Sequence, residues 1–501
     1  MLYIPSVTLA INLFVLFSSA FEASRISKRT ASTTHPVPFQ TKNLAVSIDT
    51  WNNNPMSSTH STDSVVPPRQ LLIHWRGEKD SGYSKQFRQL EFTSALEAVL
   101  GLSYDNPLIL SFRNALNYTG QAAMTDVNIE HFNEAMQYLE FPADTLPTMA
   151  ISTNDVIRAA QRCSLVHALY EVIASADDIN ELAPLAIQDG GFADMYRDGE
   201  NGKMTWCFRA RNYRDPNMSD SGREKRYGSR ARSMALEKTG LTALKELLLL
   251  FGGKVDLLDP DCKIYIFDGL VEKDKTLARR IAAGPKTSLI APATRICITT
   301  TPLCPIASFS LCNVARITND FKILDPYAGS CATLLAAAMI APQCQTVGIE
   351  IANSKVVNRD DIRKDFDSRQ LTPPKALLEG DCTDPDLRRQ AWEALAGSNT
   401  EFDAIIADPP YGIRESKAFN DNSPLEELFA AIIFDRENGH RLLRKGGRLV
   451  AFVPVNDEET FEGVLPNESL TEAAGLIFEV CREQPLNEKL SRWLVSFVCV
   501  R

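Results

Sequence analysis

The chain has 501 residues, of which 44% are hydrophobic and 23% charged, and a formal net charge of −10. The length is too great for one compact core and implies two or three domains, and the composition is ordinary for a globular protein. The acidic balance argues against non-specific nucleic-acid binding by the whole surface, while leaving room for a local basic face.

The amino terminus, MLYIPSVTLAINLFVLFSSA (1–20), is apolar, of signal-peptide length, and has Ser18 and Ala20 near its end, but it lacks a basic n-region. Residues 21–68 are rich in Ser and Thr, poor in acids, and carry Arg25, Lys28, Arg29 and Lys42. That composition is transit-peptide-like and cannot form a packed core. The pair resembles the two-part presequences of algae with secondary plastids. This implies a plastid address and no membrane segment in the mature form. The alternatives are a leader without consequence or a misassigned start, and a cytoplasmic protein.

From residue 69 the pattern becomes globular. QLLIHW predicts a strand, and FRQLEFTSALEAVLG an amphipathic helix ending at Gly101. PLILSF is a short apolar run. TNDVIRAAQRCSLVHALYEVIAS has helical spacing, with Thr153 or Asn154 as its cap. KMTWCFRARNY predicts a strand, LTALKELLLLFGG a helix stopped by Gly252 and Gly253, and KIYIFDGL a strand. The expectation is an α+β region over 69–285, then a linker at 286–304.

After residue 305 the rhythm is regular. The strands KILD, TVGIE, KALLE, FDAIIA and GRLVAFVPV alternate with helical segments, and GLIFEVCRE and RWLVSFVCV close the series. Near-continuous apolar strands between helices predict a parallel sheet covered on both faces. Ligands bind such sheets at the carboxyl ends of the strands. Four acids end strands there: Asp325, Glu350, Asp381 and Asp408. The eleven cysteines contain no C-x-x-C pair and no zinc-like Cys/His spacing, so they are expected to be reduced, buried thiols rather than metal ligands or disulfides.

Each acid has two readings. Asp325 opens DPYAGSC, a strand–Gly turn–helix corner that suits a cofactor or is merely a turn. Glu350 can accept from a ribose diol or sit solvated in a loop. Asp381 can accept from an adenine amino group or cap the turn that follows. Taken together with DPPY (408–411), the order resembles the S-adenosylmethionine-dependent methyltransferases over about 305–501. DPPY marks the branch acting on exocyclic amines of nucleobases.

The chemistry explains the motif. An aromatic amine delocalises its lone pair and is a poor nucleophile. Asp408 and the Pro409 carbonyl can accept its two N–H bonds, which favours a pyramidal nitrogen. Pro409 and Pro410 hold those acceptors in place. Tyr411 can stack on a base taken out of its helix.

DPPYGIRE as a whole, with FRQLEF, RCSLVHALYE, GGKVDLLDPDCKIYIF, LARRIAAGPKTSLIAPATRI, DDIRKDF, LLRKGGRLVAFVP and SRWLVSF, resembles the Trm11-type tRNA guanosine-10 N2-methyltransferases over about 70–501. The resemblance implies a Rossmann-like seven-stranded methyltransferase sheet preceded by an α+β THUMP-like RNA-binding region. It implies S-adenosylmethionine held by Thr301, Asp325, Tyr327, Gly329, Glu350, Asp381, Cys382 and Asp408. It also implies tRNA as partner, and a small zinc-binding activator in eukaryotic relatives. Three departures stand out: Cys331 replaces a loop glycine, Thr301-Pro302-Leu303 replaces T-S-M, and Glu350 replaces an aspartate. Cysteine at 331 weakens binding if the backbone there is left-handed, though its small size favours tolerance. None of the three touches DPPYGIRE, and an active enzyme is expected.

Residues 208–233 carry Arg209, Arg211, Arg223, Lys225 and Arg226 with Tyr213 and Tyr227, a local positive face suited to phosphates or else a solvated basic loop. Arg414 can hold a phosphate or pair with Glu415. The alternatives to a tRNA enzyme are a methyltransferase for ribosomal RNA guanine or for adenine N6, and a cofactor- and RNA-binding protein without turnover.

Overall fold

The computed structural model describes residues 70–76, 84–106, 136–139, 151–190, 192, 204–213, 228–270, 275–299, 302–353, 355–395, 401–411 and 423–501. The leader segments 1–20 and 21–68, the run PLILSF, and Thr301, Arg223, Lys225, Arg226 and Arg414 lie outside the described residues. No helix among the described residues is long and apolar enough to cross a membrane. Contacts divide the chain into two units. One holds Val172–Asp215 and Gly228–Arg279; the other holds Gln70–Glu171 together with Arg280–Arg501. The α+β region expected over 69–285 contributes to both units, its first hundred residues clustering with the carboxyl-terminal sheet.

In the second unit, β1 (Leu71–Trp75) pairs antiparallel with β2 (Met136–Leu139) and with β3 (Val166–Ala176). Between them lie α1 (Arg88–Val99) and α2 (Thr153–Arg162). Ser152, not Thr153 or Asn154, caps α2: its side chain accepts from the Asp155 N–H, and Asp155 returns the bond in a capping box. The single helix expected from Thr153 to Ser175 is corrected here. It stops at Arg162, and VHALYEVIASA is a strand. The physical reason is a buried carboxylate on α1. Glu91 accepts from the N–H groups of Ser164 (2.9 Å) and Leu165 (3.0 Å), which pulls the backbone out of helical hydrogen bonding. β-Branched and aromatic residues then favour the pleated form.

The first unit carries the parallel strands β4 (Thr205–Asn212), β5 (Lys254–Val255) and β6 (Cys262–Asp268) in the order β6-β4-β5. Its helices include α3 (Leu182–Asp189) and α4 (Arg230–Ala243). Gly240 lets α4 lie close on β4: a Cβ there would stand 2.8 Å from the Phe208 ring. The helix expected at 241–253 is instead the end of α4 and a single turn at Lys245–Leu248. Strand β7 (Lys275–Ala283) leads back to the second unit.

The carboxyl-terminal series follows the expected alternation. In chain order come α5 (Pro305–Val314), β8 (Lys322–Asp325), α6 (Ala332–Ile340), β9 (Gln345–Glu350), α7 (Arg359–Asp367), β10 (Ala376–Glu379) and α8 (Pro385–Glu393). Then follow β11 (Phe402–Ala407), α9 (Pro424–Glu437), β12 (Leu443–Asn456), α10 (Glu468–Ala474), β13 (Leu476–Asn487) and β14 (Leu490–Cys499). The sheet order is β10-β9-β8-β11-β12-β14-β13. β8 to β12 are parallel and β14 runs antiparallel between β12 and β13. This is a Rossmann-like α/β sheet, with its topological switch between β8 and β11.

Alternate residues of the central strands feed two cores. Ile323, Ala404, Ile406 and Val450 pack with α5, α6 and the amino-terminal Phe87 and Phe92. Leu324, Ile405 and Leu449 pack with Phe429 and Ile432 of α9. Burial on both faces explains why these strands are apolar without alternation. Residues 70–171 thus share a core with the sheet, and Phe87 meets Phe452 at 6.1 Å between ring centroids. A polar network reinforces the joint: Asn313 of α5 donates to Glu91 (3.0 Å) and accepts from Arg162 (2.8 Å).

Candidate active site

The carboxyl ends of β8, β9, β10 and β11 open on one cleft of about 1860 Å³. A site for one small molecule is typically about 300–1,000 Å³, so the cleft has room for a nucleoside-sized cofactor and a second group. Its walls include Asp381, Glu350, Gly329, Asp408, Tyr411 and Arg492.

β8 ends at Asp325, which is only 2% exposed and does not itself line the cleft, whereas Pro326 and Tyr327 just after it do. Its Oδ1 accepts from the Tyr327 N–H at 3.1 Å. Burial, together with the charges of Asp408 and Glu350, pushes the Asp325 carboxyl up to about 8, with the Tyr327 bond working against the rise. The turn that follows needs left-handed backbone twice. Gly329 has φ +49° and lines the cleft, where a Cβ would meet only the Tyr327 carbonyl oxygen, at 4.0 Å. Cys331, fully buried, has φ +62°. The condition under which cysteine costs something is therefore met: a non-glycine residue stands in the left-handed region at the start of α6.

An ion pair outside the expected set holds this turn. Arg295 donates through Nη1 to Ser330 Oγ (3.1 Å) and through Nη2 to the Ser330 carbonyl. Its Nε lies 3.6 Å from Asp365 Oδ2 of α7. Asp365 in turn accepts from the N–H groups of Ile296 (2.8 Å) and Cys297 (3.0 Å) and from Arg369 (3.0 Å). Burial lowers the Arg295 guanidinium, and the Asp365 charge opposes that fall.

Glu350 ends β9. Its two carboxylate oxygens accept from the N–H groups of Gly329 (2.7 Å) and Ala352 (2.9 Å), so it ties the β8 turn to the β9 loop while lining the cleft. Gly348, two residues back, permits that approach: a Cβ there would stand 2.7 Å from the Ala328 Cβ. Asp381 lines the cleft too, but its Oδ1 accepts from the Thr383 N–H and hydroxyl, both at 2.8 Å. It caps the turn that follows, which was one of its two expected readings. Burial and a bond with Tyr327 bear on the neighbouring Cys382 thiol, which is pushed up to about 12 by the burial. Tyr327 donates its hydroxyl to the Pro424 carbonyl at 3.3 Å. Arg388, in a buried two-point pair with Asp435 (2.7 and 2.8 Å), donates to the carbonyls of Cys382 and Thr383 and fixes this loop.

β11 ends one residue before Asp408, and Pro409, Pro410 and Tyr411 follow along the cleft wall. Tyr411 donates its hydroxyl to Asp408 Oδ1 at 2.7 Å and accepts from Arg492 Nη1 at 3.1 Å. Burial and the Asp408 charge raise the Tyr411 phenol, so it stays protonated. Pro302 lines the same cleft. Arg209 and Arg211 belong to the other unit. Arg209 donates to the Leu257 carbonyl (3.1 Å) and lies 3.9 Å from Glu237. Arg211 lies 5.7 Å over the Tyr265 ring. Both are half-buried and locally engaged.

Arg295, Arg388, Gln484 and Arg492 were not singled out in the sequence. Arg295, Arg388 and Arg492 each act on a partner far along the chain, so no local pattern marks them, and Gln484 accepts from Arg492 on the next strand. All eleven cysteines are free, and nine are buried. Among the described residues, no group of His, Cys, Asp and Glu could hold a metal ion.

The residues present suit a nucleoside cofactor. A glycine opens the wall of a roomy cleft, and the strand-end acid Glu350 stands beside it, accepting from its N–H.

Residues 292–474 match the UPF0020 family model, described as an RMKL-like methyltransferase domain. The tRNA (guanine(10)-N(2))-methyltransferase TRMT11 of Gallus gallus is 26% identical over 294 residues, 50% of this chain and 61% of that protein. The protein of the same description from Dictyostelium discoideum is 23% identical over 325 residues, 58% of each chain. The chain thus spans about three-fifths of the length of these curated relatives. Among solved structures, TrmN from Thermus thermophilus is similar at a TM-score of 0.39 and 16% identity, over 86% of this chain and 99% of that one.

Proposed function

We propose that this chain, whose residues 292–474 match the RMKL-like methyltransferase domain model, methylates the exocyclic N2 amine of a guanosine in tRNA, with guanosine-10 the expected position. The observation that carries the reading is the DPPY wall: Asp408 and Tyr411 bonded to each other on one side of a cleft whose other side is built from Gly329 and Glu350. The likeness to TRMT11 proteins supports tRNA over other nucleic acids.

S-adenosylmethionine would be held by Glu350, the Gly329 turn and the β10 loop, and when bound would supply an electrophilic methyl group. The protein's own work is to present the amine. Asp408 and the Pro409 carbonyl accept the amine's N–H bonds, which directs its lone pair across the cleft. The prolines keep those acceptors still, so little reorganisation accompanies reaction. Tyr411 offers a ring face to the base. The cationic product nitrogen is acidic and gives its proton to water, so no strong base is required. Residues 69–285 are read as a THUMP-like RNA-binding region, with Arg209 and Arg211 proposed as RNA contacts. Plastid import through the leader is part of the proposal, and a small zinc-binding activator is the proposed partner if the protein is instead cytoplasmic, an organellar form acting alone.

The test is nucleoside mass analysis of unmodified tRNA incubated with the protein and cofactor. The appearance of N2-methylguanosine supports the reading. Methyladenosine, or methylation of ribosomal RNA alone, would point to the alternatives. Cofactor binding with no methylated nucleoside, even with an activator protein added, would favour a non-catalytic binder.

A further inference from the structure

The antiparallel end of the sheet supplies something that the motif itself does not contain. Arg492 of β14 is 6% exposed and lines the cleft. It lies opposite Pro454 in β12 and opposite Gln484 in β13, so both flanking strands fix its place. Its Nε donates to Gln484 Oε1 at 2.7 Å, its Nη1 donates to the Tyr411 hydroxyl at 3.1 Å, and its guanidinium carbon lies 4.1 Å over the Phe452 ring. Three sides of a planar cation are thus constrained by β12, β13 and the DPPY loop.

The direction of every bond in this chain is forced. A guanidinium has only donors. The Tyr411 oxygen must therefore accept from Arg492, and its own hydrogen is left to point at Asp408. Arg492 donates both ways, to the Gln484 amide oxygen and to the Tyr411 hydroxyl oxygen, and Tyr411 carries the second direction on to the Asp408 carboxylate. A tyrosine held only at Asp408 could swing about that one contact. With two partners on its hydroxyl, its phenol oxygen and ring plane are set before any base arrives, and that ordering cost falls on folding rather than on binding.

We propose that Arg492, oriented by Gln484 and Phe452, is the positioning residue that sets the plane and hydroxyl direction of Tyr411 beside Asp408, and so prepares the wall that receives the target amine. The inference rests on the functional reading above for the role of that wall, but the link between Arg492 and Tyr411 is measurable without any substrate.

The experiment is a double-mutant cycle with R492M, R492K and Y411F in the full chain. It is read by thermal unfolding, by cofactor calorimetry and by single-turnover methylation of tRNA. R492M is expected to slow methyl transfer by ~10–100-fold, the scale of an error in placement near 1 Å. It should leave cofactor affinity within ~3-fold. R492K, which keeps a donor and a charge, is expected to recover most of the rate and guards against misfolding as the cause. In the Y411F background, R492M should have little further effect on rate, and the losses of Tm should be less than additive. Full additivity in both rate and Tm overturns the proposal, as does a cofactor affinity that falls as steeply as the rate. If wild-type protein methylates no tRNA, the functional reading fails, while the Tm cycle still decides the link: coupling upholds it and additivity removes it.

Discussion

Arg295 grips Ser330 twice, donating to its hydroxyl at 3.1 Å and to its carbonyl, while facing Asp365 on the other side at 3.6 Å. The contact matters because Ser330 sits between the two left-handed residues of the cofactor turn, Gly329 and Cys331. R295M should leave Asp365 a buried charge with fewer partners and the turn unbraced. We expect a fall in unfolding free energy of about 3 kcal/mol, the usual scale for breaking a buried pair. Cofactor affinity should fall at least ~10-fold, a shift of about 1.4 kcal/mol. Calorimetry and urea unfolding read the two effects separately.

Cys331 tests how much the turn costs. A left-handed conformation at an L-residue is unfavourable by roughly 1–2 kcal/mol. Glycine relieves it but adds about 0.5–1 kcal/mol of unfolded-chain entropy and deletes a buried sulfur. C331G should therefore stay within about 1 kcal/mol of wild type. C331V adds β-branching at the same backbone angle and should lose more than about 2 kcal/mol. A valine variant as stable as glycine, in urea titrations, would count against the strained turn.

Asp325 predicts a pH dependence of definite sign. Its carboxyl is pushed up from an ordinary 3.8 to about 8, chiefly by burial. Between those values the folded protein holds a proton that the unfolded chain has released. Stability from this group is greatest at low pH, declines as pH rises through the window, and levels off above about 8. The D325N variant lacks the titration. It should be the more stable protein at pH 8 by on the order of a few kcal/mol, with the gap closing towards pH 4, and should bind cofactor more weakly. Unfolding curves at several pH values check the slope, and a parallel pH dependence in D325N would sink the assignment.

Glu91 joins the amino-terminal elements to the sheet. It accepts from Ser164, Leu165 and Asn313, and burial raises its carboxyl against the effect of those bonds. E91A leaves two backbone N–H groups and an amide without their acceptor and should cost about 3–5 kcal/mol. E91Q keeps shape and one acceptor and should cost markedly less. The urea midpoints of the two variants should differ clearly; equal midpoints would mean that cavity formation, not hydrogen bonding, dominates.

The sheet was legible in the sequence because its strands are buried on both faces and its acids recur at strand ends. The stretch Thr153–Ser175 was misread because AAQRCSLVHAL supports helical spacing as well as alternation, and local pattern cannot choose. Glu91, sixty or more residues earlier in the chain, made the choice by accepting from Ser164 and Leu165. Asp381 shows the opposite limit. Its place at a strand end was readable, but whether its oxygen faces a ligand or Thr383 was not.

By itself, the sequence determined the order of strands and helices after residue 305, the four strand-end acids and the stiff acceptor loop at Asp408–Tyr411. Those features are local: periodicity, proline and glycine act within a few residues of themselves. Only the tertiary structure decided that Cys331 is left-handed, that Arg295 braces its turn, and that Arg492 fixes the polarity of the Tyr411 hydroxyl. Each of these depends on partners brought together across the sheet, where burial strengthens a charge or hydrogen bond that water would otherwise screen.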